Sequence, residues 1–251
     1  MSEPAPGSTP PLRIRYHLEF EDGATQDHVL ELDPDTLLLR TRPEPPHPEW
    51  TELAFNKCAN CPLEESEHSR CPAALSLVGI IDRLPRTISH TPVTVTIDTE
   101  ARQYRKKTTL QQALSSLMGL AMAASGCPVL GKMRPMARQH LPFAKLAENE
   151  SRMVSMYLLA QYLIGRRGGI PDWSLKGLSA LFREIHTVNE HFSRRLSRAA
   201  RGDASLNALV TLDCFTETVG FVINEQVLQS LERLFAPYLE DQSSAPEDHG
   251  A

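Results

Sequence analysis

The residues best suited to chemistry are the cysteines near position 60. The fourteen residues C-A-N-C-P-L-E-E-S-E-H-S-R-C contain Cys58, Cys61 and Cys71, three of the five cysteines of the chain, together with His68. A C-x2-C turn lets two thiolates point to the same side of a tight bend, where backbone N–H groups can donate to the sulfurs. This spacing is typical of zinc and iron–sulfur sites, so we expect a bound metal here.

Two residues could supply the fourth ligand of such a site. His68 would complete a local set, C-x2-C-x6-H-x2-C, which has the length of a zinc knuckle but places its histidine two residues later. Cys127 would give four thiolates and would join the cysteine loop to a distant helix end, which predicts a structural role for the metal. The spacing alone leaves both alternatives open.

The prolines that follow the cysteines bear on the identity of the metal. Cys61, Cys71 and Cys127 each precede a proline, as does the last ligand of the iron–sulfur run C-x2-C-x2-C-x3-C-P. These pairs favour a [4Fe-4S] cluster, whereas His68 favours zinc, which needs no assembly machinery. We therefore predict zinc, with the cluster as the alternative. Two readings without a metal are reduced cysteines that pack as small apolar residues and a C-x2-C redox pair.

The cysteine motif is one of several characteristic stretches. They are F-N-K-C-x-x-C-P-L with the following H-x-x-C-P (55–63 and 68–72), S-G-C-P (125–128) and R-P-M-A-R-x-H-L-P (134–142). In these stretches the chain resembles an uncharacterised bacterial family, over most of its length. The resemblance implies one unified architecture and carries no activity, substrate or partner.

Two groups of basic residues could serve the site or a partner. Arg134, Arg138 and His140 follow Cys127 closely, so they could offset thiolate charge or hold an anion, although arginines in such a connection also cap helix ends. A second group recurs at three- and four-residue steps and predicts a basic stripe on a helix. Its members are His191, Arg194, Arg195, Arg198 and Arg201. The stripe is interpreted as a solvated face, or as a surface for an acidic or phosphorylated partner.

The elements that must position these residues fall into two parts. Period-two alternation predicts a hairpin over Leu12–Leu32 and another over Pro92–Lys107, with a short strand at Trp50–Phe55. Pro72 opens a helix that ends before Pro85, which puts Cys71 at its N-cap. A capping box at Thr108-x-x-Gln111 predicts the first helix of the second part. Later helices are expected over 148–165, 174–199, 204–223, which contains a core cysteine, Cys214, and 225–239.

The fold class that follows is α+β, a small antiparallel β module with a cysteine loop followed by a helical bundle. The predicted units are a disordered leader at 1–11, the β module with its metal-binding loop at 12–107, the bundle packed on it at 108–239, and a disordered tail at 240–251.

Composition argues against some partners and locations for the protein. The net charge of −5 and the pI of 6.0 argue against nucleic acid as a partner, and neither a signal peptide nor a membrane span is present, which predicts a cytoplasmic protein. No catalytic motif is found. We therefore expect a noncatalytic, metal-stabilised binding or regulatory protein; the alternatives are an iron–sulfur protein with a redox or sensing role, and an enzyme with a pocket between the β module and the bundle.

Overall fold

Two β-hairpins form a four-stranded antiparallel sheet in the computed structural model, which describes residues 9–40, 43–83, 89–199 and 225–243. The strands are β1 (Leu12–Phe20), β2 (Thr25–Leu32), β3 (Pro92–Asp98) and β4 (Gln103–Thr109). β1 pairs with both β2 and β3, so the strand order is β2-β1-β3-β4. Both predicted hairpins are confirmed. Gly23, at a φ of 84°, makes the turn of the first hairpin.

One face of the sheet is buried under helices. Alternate residues of β1 and β3 lie on this face, because side chains alternate along a strand. They are Ile14, Tyr16, Leu18, Val93, Val95 and Ile97. Together with the apolar faces of the helices they form one hydrophobic core. The sheet and the main helices therefore stabilise each other.

The first helix lies between the two hairpins, and the other described helices follow β4. They are α1 (Pro72–Ile81), α2 (Leu110–Ala123), α3 (Leu146–Arg166), α4 (Lys176–Ala199), α5 (Glu225–Leu234) and α6 (Ala236–Ser243), with 3-10 segments at Glu49–Thr51 and Leu130–Gln139. The α+β fold class is confirmed. The predicted helix at 204–223, Cys214 and Arg201 lie outside the described residues. None of the helices in the described ranges has the length and apolar character needed to cross a membrane.

The predicted strand at Trp50–Phe55 is wrong. Residues Glu49–Thr51 form a 3-10 turn, and only a single bridge joins Glu52 to Arg70. The Thr51 hydroxyl donates to the Pro48 carbonyl at 2.6 Å, and Arg70 Nη1 donates to the same carbonyl at 3.0 Å. The proline run and these side chains hold the segment as a turn, so it forms no continuous ladder.

The predicted capping box of α2 is also wrong. The N-cap is Thr109, which makes no side-chain cap hydrogen bond, while the Thr108 hydroxyl bonds the side chain of Gln112. The first-turn amides of Leu110 and Gln111 donate to the Thr91 and Ser89 carbonyls at 2.9 and 3.0 Å. Backbone from the segment before β3 therefore replaces the side-chain cap.

The C-terminal helix is longer than predicted and is broken in the middle. Helicity extends through Ser243, past the expected boundary at Leu239, and the chain interrupts it at Phe235. Pro237 follows as the second residue of α6, a position where its missing N–H leaves no intrahelical bond unmade. The helix therefore restarts instead of continuing as one piece.

His28 makes the stability of the sheet depend on pH. Its side chain is 3% exposed, and its Nε2 accepts a hydrogen bond from Gln26 Nε2 at 2.9 Å. Burial, and then the charge of Arg83, lowers the pKa of His28 to about 4 from 6.5. In the unfolded chain His28 therefore binds a proton below about pH 6.5, whereas in the folded chain it binds one only below about pH 4.

Lowering the pH from 7 to 4.5 should reduce the free energy of unfolding, with about 2 kcal/mol coming from His28. The pH dependence of urea unfolding in the H28Q variant should be shallower than in the wild type by this amount. Because His140 is unchanged in the variant, the difference between the two curves isolates His28. Parallel curves would contradict the assignment.

Candidate metal centre

The cysteine loop lies between the 3-10 turn at 49–51 and α1. Within it the Cys61 amide donates to the Cys58 carbonyl at 3.0 Å, which closes the tight bend expected of C-x2-C. Asn60, inside this bend, donates through Nδ2 to the Glu184 carbonyl of α4 at 2.9 Å. The bend is thus fixed to the helical part of the molecule.

Cys71 is the N-cap of α1, as predicted. Its amide donates to the Thr51 carbonyl at 2.8 Å, and its own carbonyl accepts the Leu75 amide at 3.0 Å as the helix begins. The loop therefore ends where α1 starts, with the Cys71 side chain at the positive end of the helix.

Cys127 reaches the same neighbourhood from the end of α2. Gly126 adopts a φ of 96°, which reverses the chain after the helix, and the Cys127 amide donates to the Ser125 hydroxyl at 3.1 Å. The Cys127 carbonyl then accepts the Gly131 amide at 2.8 Å and opens the next helical turn. Residues distant in sequence are brought together in this way.

The two Cys-Pro pairs at helical starts share one arrangement. The amides of Ala73 and Ala74 oppose the rise in the pKa of Cys71, and those of Val129 and Leu130 oppose the rise in the pKa of Cys127. Cys71 nevertheless makes no side-chain cap hydrogen bond to its helix. In both cases the amides belong to the second and third residues after the cysteine, because the intervening proline has no N–H.

All four cysteines of the candidate site are free, partly buried thiols. Burial, and then the charges of Cys71, Cys61 and Cys127, raise the pKa of Cys58 to about 12. Burial also raises the pKa of Cys71 and of Cys127, while the amides that follow each cysteine oppose the change. The charged thiolate forms of these cysteines are therefore costly at this position.

The side chains of the four cysteines are not positioned to bind a metal ion as they stand. Over the described ranges, no three His, Cys, Asp or Glu side chains form a group that could hold a metal ion as they stand. The charges of the four cysteines act on each other, so the side chains share one neighbourhood, and ligation would require them to converge.

The basic residue beside the cysteines is Arg195 of α4. Its side chain is 1% exposed, and its charge acts on the thiols of Cys71, Cys58 and Cys61. Nη1 donates to the carbonyls of Trp50 and Glu52 at 2.6 and 2.7 Å, and Nη2 to that of Leu53 at 3.4 Å. Burial lowers the pKa of Arg195, whereas the cysteines raise it.

The interpretation of Arg195 as part of an exposed stripe is therefore wrong. Only its neighbours fit that picture, since Arg194 pairs with Glu190 and Arg198 is exposed. The sequence does contain a signal for burial, because Arg195 lies three residues after Phe192 and next to Leu196, on the buried face of α4.

The other predicted residues lie elsewhere. His68 is exposed, unlike the four cysteines. Arg138 Nη1 donates to the Pro34 carbonyl at 3.2 Å, His140 Nε2 lies 2.5 Å from the Tyr16 hydroxyl, and Arg134 is half-buried. None of the described interactions of Arg138 or His140 involves a cysteine, so Arg195 is the cation that the structure places at the site.

Comparison with known sequences places the chain in a family. The sequence model described as "Domain of unknown function (DUF6901)" matches residues 14–236, which include the cysteine loop, Cys127 and Arg195. The chain belongs to this family. No curated protein and no solved structure gives a significant match. Membership of the DUF6901 family supports one architecture across the sheet and the helices, and it carries no activity.

Proposed function

We propose that Cys58, Cys61, Cys71 and Cys127 together bind one structural metal ion, and that the chain is a metal-stabilised protein. The observation that carries this proposal is that four free cysteines from a loop, a helix N-cap and a distant helix end lie in one neighbourhood, where their charges act on each other. Four thiolates form a closed ligand set for zinc, which binds sulfur at about 2.3 Å in structural sites.

The surroundings suit a negatively charged centre. Four thiolates around Zn²⁺ carry a net charge of about −2, which is costly in a partly buried position. The amides that follow Cys71 and Cys127 and the guanidinium of Arg195 offset part of that charge. His68 is left out of the ligand set because its side chain is exposed.

A metal ion at this site would join the cysteine loop to the segment that follows α2. The Cys58–Cys71 loop contacts α4 through Asn60, while Cys127 follows α2 directly. Ligation would tie these segments to each other and close a loop of about 55 residues between Cys71 and Cys127, which stabilises the folded chain. A closed set of four protein ligands would leave no position for a substrate, which favours a noncatalytic role for the metal.

A [4Fe-4S] cluster is the second candidate. The observation that favours it is the proline after each of Cys61, Cys71 and Cys127, because a proline also follows the last ligand of the iron–sulfur run C-x2-C-x2-C-x3-C-P. With this cofactor the protein would serve in electron transfer or redox sensing.

Metal content distinguishes these candidates. Protein purified without oxygen should be colourless and contain about one zinc per chain. The variants C71S and C127S should lose it, whereas H68A, a matched change at an exposed residue, should retain it. A brown protein with iron and an absorption near about 400 nm would favour the cluster instead. Metal-free wild-type protein, or zinc retained by C127S and lost by H68A, would contradict the four-cysteine site.

A further inference from the structure

A separate cavity of about 430 Å³ lies among the helices. Its walls come from α2, the 3-10 segment at 130–139, α3 and α4, with β4 and the connection at 140–144 at its edge. The volume falls in the range of small-molecule sites, about 300–1,000 Å³. None of the four candidate metal ligands lines it.

The lining is mainly apolar and rich in methionine. Met122, Met133, Met136 and Met153 line the cavity together with Phe182 and Ile185. Methionine is unbranched and polarizable, so a surface built from it can adapt to ligands of different shape. Such a lining suits the hydrocarbon part of a ligand.

The charge of the lining has one sign. Lys106 and Arg152 line the cavity, and no Asp or Glu is among the lining residues. The Arg152 guanidinium donates to the Gln139 carbonyl at 2.6 Å and to the Met136 carbonyl at 3.3 Å. The negative charge of Glu148 raises the pKa of Arg152. The Glu148 carboxylate accepts a hydrogen bond from the Lys145 amide at 2.7 Å and does not line the cavity.

Neutral polar groups complete the wall. The Tyr16 hydroxyl lies 2.9 Å from Ser116 Oγ and 2.5 Å from His140 Nε2, and both Ser116 and His140 line the cavity. Burial, and then the charge of Arg152, lowers the pKa of His140 to about 4, so the imidazole is neutral near pH 7. The lysine and the arginine are thus the charged groups of the lining.

The rim contains a strained residue. Phe143 lines the cavity with a φ of 59°, a left-handed conformation that is rare for an aromatic residue, and Lys106 Nζ lies 5.1 Å from its ring centroid. Strain of this kind is often found where a chain segment contacts a ligand.

We propose that this cavity binds a small amphipathic carboxylate. The apolar chain of the ligand lies against the methionines, and its carboxylate pairs with Arg152 and Lys106. Arg152 Nη2 is engaged by two carbonyls and Nη1 donates to Asn149 Oδ1 at 3.3 Å, so the ligand carboxylate takes a remaining N–H of the guanidinium. A charge-assisted hydrogen bond of this kind is strengthened by the partly apolar surroundings.

Calorimetric titration of the full chain tests this site, with decanoate as the probe and with decanol and decyltrimethylammonium as controls of similar apolar length. Decanoate should bind at least about tenfold more tightly than either control, the factor expected for one charge-assisted hydrogen bond. Equal affinity for all three, or no binding of decanoate, would overturn the proposal.

Variants locate the site. R152M should weaken decanoate binding about tenfold or more without changing decanol binding. Arg152 also donates to two backbone carbonyls, so R152M could disturb the fold. K106M, at an exposed position, is therefore a second test and should also weaken decanoate binding. Its matched control is K107M, because Lys107 pairs with Glu21 and does not line the cavity. A123F should fill the cavity and abolish binding of both ligands. Decanoate binding that survives A123F in a folded variant would place the site elsewhere.

Discussion

Removal of the bound metal should lower the free energy of unfolding by at least about 4 kcal/mol, because the ion binds the folded chain and not the unfolded one. The expected effect is large because one ion would join Cys58, Cys61 and Cys71 to Cys127, which lies about 55 residues further along the chain. Urea unfolding of the wild type with and without a chelator measures the difference. A chelated protein whose unfolding curve is unchanged would contradict a structural role.

The variant C127A separates the metal from ordinary packing. Its unfolding free energy should be low and should no longer respond to the chelator, whereas H68A should respond as the wild type does. Because alanine is close to cysteine in size, loss of packing alone would shift C127A by only about 1 kcal/mol and leave the chelator effect intact. A normal chelator response in C127A would remove Cys127 from the ligand set.

Replacement of Arg195 by methionine should cost about 3–5 kcal/mol of stability. The guanidinium donates to the carbonyls of Trp50, Glu52 and Leu53, and methionine would leave these acceptors without that partner. Its stacking against the rings of Phe55 and Phe192, each with a centroid 5.8 Å away, would also be lost. Urea unfolding followed by the fluorescence of the buried Trp50 reports on this segment when the second tryptophan, the exposed Trp173, is replaced by phenylalanine.

Two neighbouring variants control for charge and shape. R194M changes an exposed arginine paired with Glu190 and should cost no more than about 0.5 kcal/mol. R195K keeps the positive charge but lacks the planar guanidinium with its several N–H donors, so its stability should lie between those of R195M and the wild type. If R195M and R194M were equally stable, Arg195 would not hold the cysteine loop.

Local sequence patterns are sufficient to predict the sheet and most of the described helices. Alternation along Leu12–Phe20 and Pro92–Asp98 reflects a face that must be buried, and Pro72 marks the start of α1 because its missing N–H is not needed there. Trp50–Phe55 has the composition of a strand, but a strand also needs a partner. That partner is a property of the whole fold and cannot be seen in six residues.

The candidate site needed the fold for the same reason. The C-x2-C spacing and the cysteine at the helix N-cap are local, so Cys58, Cys61 and Cys71 could be grouped from sequence. The choice between His68 and Cys127 depends on where the end of α2 lies relative to the loop, which spacing does not determine. Arg195 comes from a third segment, and only the packing of α4 on Trp50–Leu53 brings its guanidinium to the cysteines.

X-ray absorption at the zinc edge of the purified protein tests the four-cysteine site most directly. The spectrum should fit four sulfur ligands at about 2.3 Å with no nitrogen ligand. Three sulfurs with one nitrogen would instead indicate that a histidine such as His68 completes the site. A protein that binds no stoichiometric metal would contradict a metal centre at these cysteines altogether.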